Sequence, residues 1–405
     1  MQRSEANRLA TVLFVLQAIV MTGCAGPSAA APDQVVAPIE PAATAHAPNG
    51  VNPFVDALIY VNPDYVAEVR KVASRRPRAA GLLDKMEGFP TAIWESAIKD
   101  TADVPRHLAN ARRQQAPGGA PVVPVFVLYD LPGRDCNANA SAGELSPDAA
   151  GEARYRHQFV DAIAAAFRAS RGQRIAVVLE PDSLSNLVTN MDNPRCASVA
   201  AIYKRGVAYA IAKLSLPNVF LYLEAAHAGW LSWPKNLVRS VPLYKEVLEM
   251  AGGADRIRGF ALNVSNYDPL EAHNSTPRDP AGPSDDELGY VEDLARALAG
   301  VGIGGKGFVI DTGRNGRANI RSDVGSWCNV KGAGLGERPR AAPAPSVDAY
   351  LFIKVPGESD GTSDRKAARF DEGCASDDAA PGAPEAGVIF DSYLVDLLQN
   401  AEPPL

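Results

Sequence analysis

The sequence predicts an α/β fold in which seven parallel strands close into a (β/α) barrel. Three observations carry that reading. Short apolar runs recur at 91–94, 122–128, 175–179, 219–223, 259–264, 307–310 and 349–353. Several are continuously apolar rather than alternating, which is how strands buried on both faces read. Helical periodicity fills the gaps between them. Phe159, Ile163 and Phe167 fall four apart, and Val160 and Ala164 widen the stripe. Ser284 and Glu287 form a capping box ahead of Leu288, Val291, Leu294 and Leu298, and Gly300 ends that helix. Finally, polar and titratable residues gather just after the strands, where barrels of this kind carry their chemistry. No repeat and no second linker divides the seven units, so a closed barrel is favoured over an open sheet.

Taken in order, the chain begins with a leader. Arg3 and Arg8 precede an apolar run, 9–21, too short to span a bilayer comfortably. Residues 1–24 therefore read as a signal peptide. The run ends Met21-Thr22-Gly23-Cys24, which resembles a bacterial lipobox with Cys24 as the lipidated residue. An ordinary secretory leader is the alternative. The reading places the protein outside a bacterial cell, secreted or anchored at the surface. Residues 25–50 are rich in Ala and Pro without periodicity and read as a disordered tether. The folded domain is expected over 51–405. Once Cys24 is set aside, Cys136, Cys196, Cys328 and Cys374 remain, an even number without C-x-x-C spacing. Two disulfides fit better than a metal site, with three connectivities open. A net charge of −7 over 405 residues gives no electrostatic footprint for nucleic acid.

The segments after the strands share one pattern. After Leu128 come Tyr129-Asp130-Leu131-Pro132-Gly133-Arg134-Asp135-Cys136. After Leu179 come Glu180-Pro181-Asp182-Ser183, and Pro181 forces the chain out of the sheet. Glu180 and Asp182 thereby sit at a strand's carboxyl end, although either could simply cap the next helix. Leu223 leads into Glu224 and on to His227, Trp230 and Trp233; Val264 leads to Asn266 and Asp268. Ile310 leads to Asp311 and, further on, Trp327; Ile353 leads to Lys354, Glu358 and Asp360. Acids scattered at random would not favour one end of the strands, so a single polar cleft is the economical account.

Serine chemistry lacks a G-x-S-x-G elbow and enough histidines. His227 has no H-x-H or H-E-x-x-H partner, which argues against a catalytic metal. Glycoside hydrolysis asks for two carboxyl groups and aromatic platforms, and Trp230, Trp233 and Trp327 suit the second need. Trp94, inside the first apolar run, reads as core.

At this point the residues resemble a known family. The segments 129–136, 179–190, 222–236, 259–267, 326–336 and 354–364 are similar to the signature segments of glycoside hydrolase family 6, which acts on β-1,4-glucan. The resemblance runs from Asn52 to the end of the chain. It implies a distorted barrel with a cleft or tunnel, and hydrolysis with inversion and without metal or cofactor. It also implies roles: Asp182 as general acid, Asp135 as the acid that tunes it and helps activate water, Ser141 positioning that water. Tyr129 would press on the distorted sugar, and Asp360 corresponds to an aspartate proposed as base. His227, Trp230, Trp233, Trp327, Asn263, Asn266, Lys354 and Glu358 correspond to sugar-binding positions. The implied disulfides are Cys136–Cys196 and Cys328–Cys374.

Two departures stand out. Tyr60 stands where many fungal members carry a stacking Trp, and Lys354-Val355-Pro356-Gly357 replaces the commoner Lys-Pro-Gly-Gly. The long segment 354–390 looks like a roof over a tunnel, so release of cellobiose from non-reducing ends is preferred to internal cleavage. A monomer binding cellulose or cello-oligosaccharides is expected.

Overall fold

Each central strand sends alternate side chains to opposite faces, as a pleated strand must. In β5 (Ile175–Leu179), Ile175, Val177 and Leu179 join the cluster that packs under the helices. Ala176 and Val178 join a second cluster on the inner face. Both faces are covered, so all five residues are buried. The computed structural model describes residues 50–272 and 282–405. The leader, Cys24 and the tether except Gly50 lie outside the described residues.

Seven parallel strands run in the order β2 (Ile93–Glu95), β4 (Val125–Leu128), β5, β6 (Val219–Glu224), β7 (Gly259–Leu262), β8 (Gly307–Asp311), β10 (Val347–Leu351). Every apolar run of the sequence contributes one of them. The run 122–128 is broken, however: Pro124 has no N–H to give the ladder. Its first half is β3 (Val122–Val123), which pairs in parallel with β1 (Leu58–Ile59) outside the main sheet. An eighth strand, β9 (Arg340–Ala344), adds antiparallel to β10 and was not expected. It contains Pro343 and is only half-buried, both admissible at an edge. The two ends of the parallel array meet through a seam rather than a ladder: Ala92 N–H donates to the Phe352 carbonyl (3.0 Å) and Trp94 Nε1–H to that of Ile353 (2.8 Å). That seam is the distortion of the barrel.

The helical stripe is as expected, with Phe159, Ile163 and Phe167 all fully buried. Its first residue, Phe159, lies in a π-helical turn, Tyr155–Val160, which presents the Tyr155 hydroxyl to Glu180 at 2.8 Å. Two expectations need correction. The helix Glu287–Gly300 is capped by Asp286, whose Oδ1 accepts from Gly289 N–H (2.7 Å). Glu287 is the first helical residue and turns inward to Ala228 N–H, while Ser284 donates to Asp293, so no capping box forms. Tyr60, expected to bind substrate from the position where many fungal members carry a stacking Trp, is 1% exposed and belongs to the core. Its N–H bonds the Val123 carbonyl, which sends the ring toward His107, whose Nδ1 lies 3.2 Å from the hydroxyl. Among the described residues no helix is long and apolar enough to cross a membrane.

Candidate active site

Strained backbone marks the carboxyl end of the barrel. Asp135, Glu180, Asp182, Ala226, Asn263 and Ser265 all have φ between +49° and +63°. Side chains with a Cβ rarely adopt that region, and packing must hold them there. At β5 the cause is visible. Glu180 accepts from the N–H groups of Asp130 and Leu131 (3.3 Å each) and from Tyr155 Oη (2.8 Å). Its carboxylate thus pins the turn, and Pro181 ends the strand. Asp182 then stands at the N-cap of the helix Ser183–Thr189 without a side-chain cap bond. Its carboxyl is held for something other than capping.

The turns surround a cavity of about 560 Å³. Tyr129, Asp135, Ser141, Asp182 and Asp360 all line it, as do His227, Trp230, Asn266, Trp327, Lys354 and Glu358. Three expected residues do not. Tyr60 sits in the core beside His107. Asn263 is fully buried, its amide donating to the carbonyls of Asp268 (3.1 Å) and Asp311 (3.0 Å); it ties two strand-end loops together. Trp233 lies outside the cavity, 43% exposed, at the start of the helix Pro234–Met250.

Trp94, read as core, lines the cavity instead. It meets Tyr129 edge-on with ring centroids 5.6 Å apart, and the Lys354 ammonium lies 5.7 Å from its ring centroid. Its neighbours Ile93 and Glu95 are buried while Trp94 is only partly so, since a one-residue step changes face. Arg134 organises the same corner. It donates to the carbonyls of Ser141 (2.7 Å), Ser96 (2.7 Å) and Tyr129 (2.5 Å), and its guanidinium stacks 4.4 Å from the Tyr129 ring centroid.

Electrostatics divide the carboxyls into two groups. Burial pushes Asp182 well above the usual carboxylate range, and Asp135, Glu224 and Asp360 add to the push. Burial also takes Asp135 up to about 6, against the Ser141 hydroxyl and the Arg134 charge. Glu224, which sequence reading passed over, rises to about 7 through burial; it accepts from Asp182 N–H (3.1 Å) and Ser185 Oγ (3.2 Å). Asp360 goes the other way. Burial raises it, but Arg314 and Lys354 outweigh burial and hold it below the ordinary value. Arg314 Nη1 lies 2.6 Å from its Oδ2, and Lys354 Nζ 3.4 Å from Oδ1. One carboxyl kept protonated beside others that ionise is the arrangement acid–base catalysis requires.

Two disulfides brace these loops: Cys136–Cys196 and Cys328–Cys374. The second ties the segment carrying Trp327 to the roof segment after Asp360.

The family model for glycosyl hydrolases family 6 matches residues 54–401. The chain belongs to that family. Cellobiohydrolase C of Emericella nidulans is 41% identical over 363 residues, covering 87% of this chain and 79% of that protein. Exoglucanase 3 of Agaricus bisporus is 39% identical over 357 residues, covering 87% and 80%. Among solved structures, cellobiohydrolase II (Cel6A) from Humicola insolens in complex with glucose and cellotetraose superposes with a TM-score of 0.82. It shares 35% identity and covers 88% of this chain and all of that one.

In this family 6 hydrolase one further grouping resembles a metal site. His227, Asp268 and Glu287 bring donor atoms within 4.8 Å of one another. Both oxygens of Asp268, Nδ1 of His227 and one oxygen of Glu287 are already engaged. His227 Nδ1 lies 2.6 Å from Asp268 Oδ2, Glu287 accepts from Ala228 N–H, and the Arg321 guanidinium pairs with Asp268. A cation would compete with that guanidinium, so the set fits an ion-paired dyad better than a metal centre.

Proposed function

We propose that the enzyme hydrolyses β-1,4-glucosidic bonds of cellulose or cello-oligosaccharides with inversion, releasing cellobiose from non-reducing ends. Asp182 is the general acid in this reading. The observation that carries it is the paired environment of Asp182 and Asp135: two buried carboxyls in one cavity, the first pushed well up, the second to about 6. Near neutral pH Asp135 ionises first, and its charge holds the proton on Asp182 for the leaving oxygen. Ser141, beside Asp135 in the cavity wall, positions the attacking water. Asp360 is tied to Arg314 and Lys354 and also accepts from Asn329 N–H (2.8 Å) and Tyr267 Oη (3.1 Å). So occupied a carboxylate is a weak base, which favours Asp135 as the group that draws the proton from water. Tyr129 and Trp94 bound the reacting sugar; Trp230 and Trp327 offer platforms on either side.

The exo assignment is supported by the cavity's cover. Arg369, Ala386 and Gly387 from the segment after Asp360 line it together with Val324, Gly325 and Trp327 from another loop. The residues given roles here all come from one chain, which accords with a monomer. Export through the 1–24 leader, with lipid attachment at Cys24, completes the proposal; the Cys136–Cys196 and Cys328–Cys374 bridges suit an oxidising compartment.

The deciding measurement tracks carboxymethylcellulose viscosity beside soluble and insoluble reducing ends released from filter paper. Exo action gives mostly soluble cellobiose and slow loss of viscosity. Rapid thinning with little cellobiose would replace the proposal with an endo-acting glucanase of the same family.

A further inference from the structure

Arg321 lies in the long connection between β8 and β9, a stretch without strand or helix pattern. Its guanidinium reaches two residues of the neighbouring strand-end loop. Nη1 donates to Asn266 Oδ1 at 2.9 Å, and Nη2 donates to Asp268 Oδ1. The Arg321 and Asp268 side chains are only 10% and 6% exposed, so the pair sits where solvent screening is weak. Asp268 spends its second oxygen on His227 Nδ1 (2.6 Å) and Gly229 N–H (2.5 Å).

That geometry has two consequences. Arg321 holds Asp268 in place as an acceptor for the His227 Nδ1–H, which fixes the ring's orientation and turns Nε2 away from Asp268. His227 lines the cavity, and its Nε2 has no partner among the described residues. It is therefore free to hydrogen-bond a sugar hydroxyl. The same guanidinium also ties the loop that covers this wall. Val324 and Gly325, three and four residues beyond Arg321, line the cavity, and Val324 lies over Gly229 so closely that a Cβ there would come 2.7 Å from its Cγ2. On the loop's outer side Asp378 accepts from Ser322 N–H (3.0 Å) and Oγ (3.0 Å).

We propose that Arg321 is a positioning residue for glucan binding: it latches the 320–327 loop onto Asp268 and Asn266 and orients His227 and Asn266 toward sugar hydroxyls. The inference rests on the glucan-hydrolase reading and adds a binding determinant to it. Arg321 touches none of the groups assigned to proton transfer, so its loss weakens binding of substrate and transition state alike. Such a loss appears in KM rather than kcat.

The test is steady-state kinetics on cellotetraose for wild type, Arg321→Ala and Arg321→Lys, with thermal unfolding of each. Arg321→Ala raises KM on the order of tenfold and leaves kcat within about twofold. Arg321→Lys recovers only part of KM, because a single ammonium cannot bridge Asn266 and Asp268 as a fork does. Should Arg321→Ala fold poorly, Arg321→Gln is compared in its place. An unchanged KM in the folded variant, or a fall in kcat alone, overturns the role given to Arg321 while leaving the hydrolase reading intact. A wild-type enzyme inactive on cellotetraose and on cellulose overturns that reading instead.

Discussion

Two groups of buried carboxylates, Asp348 at the barrel's amino end and the Asp135, Asp182 and Glu224 cluster at its carboxyl end, are treated in opposite ways. At the amino end, Asp348 of β10 is answered on every side. Arg258 donates to both of its oxygens (2.8 and 2.7 Å), and the Tyr222 hydroxyl adds a third bond at 2.8 Å. The chain is crowded there: a Cβ on Gly307 would come within 2.1 Å of Asp348 Oδ2, so only glycine fits. At the carboxyl end, Asp135, Asp182 and Glu224 lie near one another, and burial pushes each upward. A charge that is matched locks a fold. A charge left unmatched is unstable by design, and it is available to move a proton.

The sharpest way to break this comparison is to remove one carboxyl from each end. Asp182→Ala is expected to lower turnover on cellulose by about 10²–10⁴-fold, the scale of a lost general acid. Its melting temperature should hold or rise, since an uncompensated buried carboxyl disappears. A variant cleaving cellulose near the wild-type rate would return the acid role to another residue. Asp348→Ala should do the reverse. Breaking the buried Arg258–Asp348 ion pair costs about 3–5 kcal/mol, read by denaturant unfolding. The protein that remains folded should turn over near the wild-type rate. Equal activity losses in the two variants would abolish the distinction between the ends.

The sequence made one side of this contrast easier to read than the other. Parallel strands buried on both faces leave continuous apolar runs, so all seven were visible, and the residues just past the end of each run named most of the site. Tyr129, Asp135, Asp182 and Lys354 were found that way or through the family resemblance, which also supplied the disulfide pairing. Trp94 was misplaced because membership of an apolar run says nothing about which face a residue occupies. Asn263 and Tyr60 were misplaced because a family position fixes the backbone and not the side chain's surroundings. Glu224 stood in the strand-end pattern without a role assigned to it, whereas Arg314 and Arg321 were given none: a lone arginine reads as surface until the fold brings Asp360 or Asp268 to it. The Asp348–Arg258 pair joins residues 90 apart in sequence, a separation no periodicity bridges. β9 hid behind Pro343.

A smaller effect sharpens the comparison along the pH axis. Asp130 lies behind the catalytic wall, fully buried, with neither carboxyl oxygen hydrogen-bonded. Burial, reinforced by Glu180, pushes it up from 3.8 to about 8. Because the folded value exceeds the unfolded one, the folded state binds the proton more tightly. That contribution to stability is complete below about pH 3.8 and is lost as pH rises toward 8. Asp130→Asn removes the titration while keeping the shape. Thermal melts between pH 4 and 8 should therefore fall with pH in the wild type and fall less in the variant, with the largest gain at the alkaline end. Glu95, also taken to about 8 by burial, contributes a slope of the same sign, so the single variant flattens the curve only in part. An Asp348→Asn variant offers the contrast: it should lower stability across this whole range, since what it loses is an ion pair rather than a buried proton. If instead Asp130→Asn left the pH slope unchanged, the carboxyl would have to be ionised in the folded protein and matched by Arg134, whose Nη1 lies 3.9 Å from its Oδ1, and the carboxyl end would lose one of its buried protons.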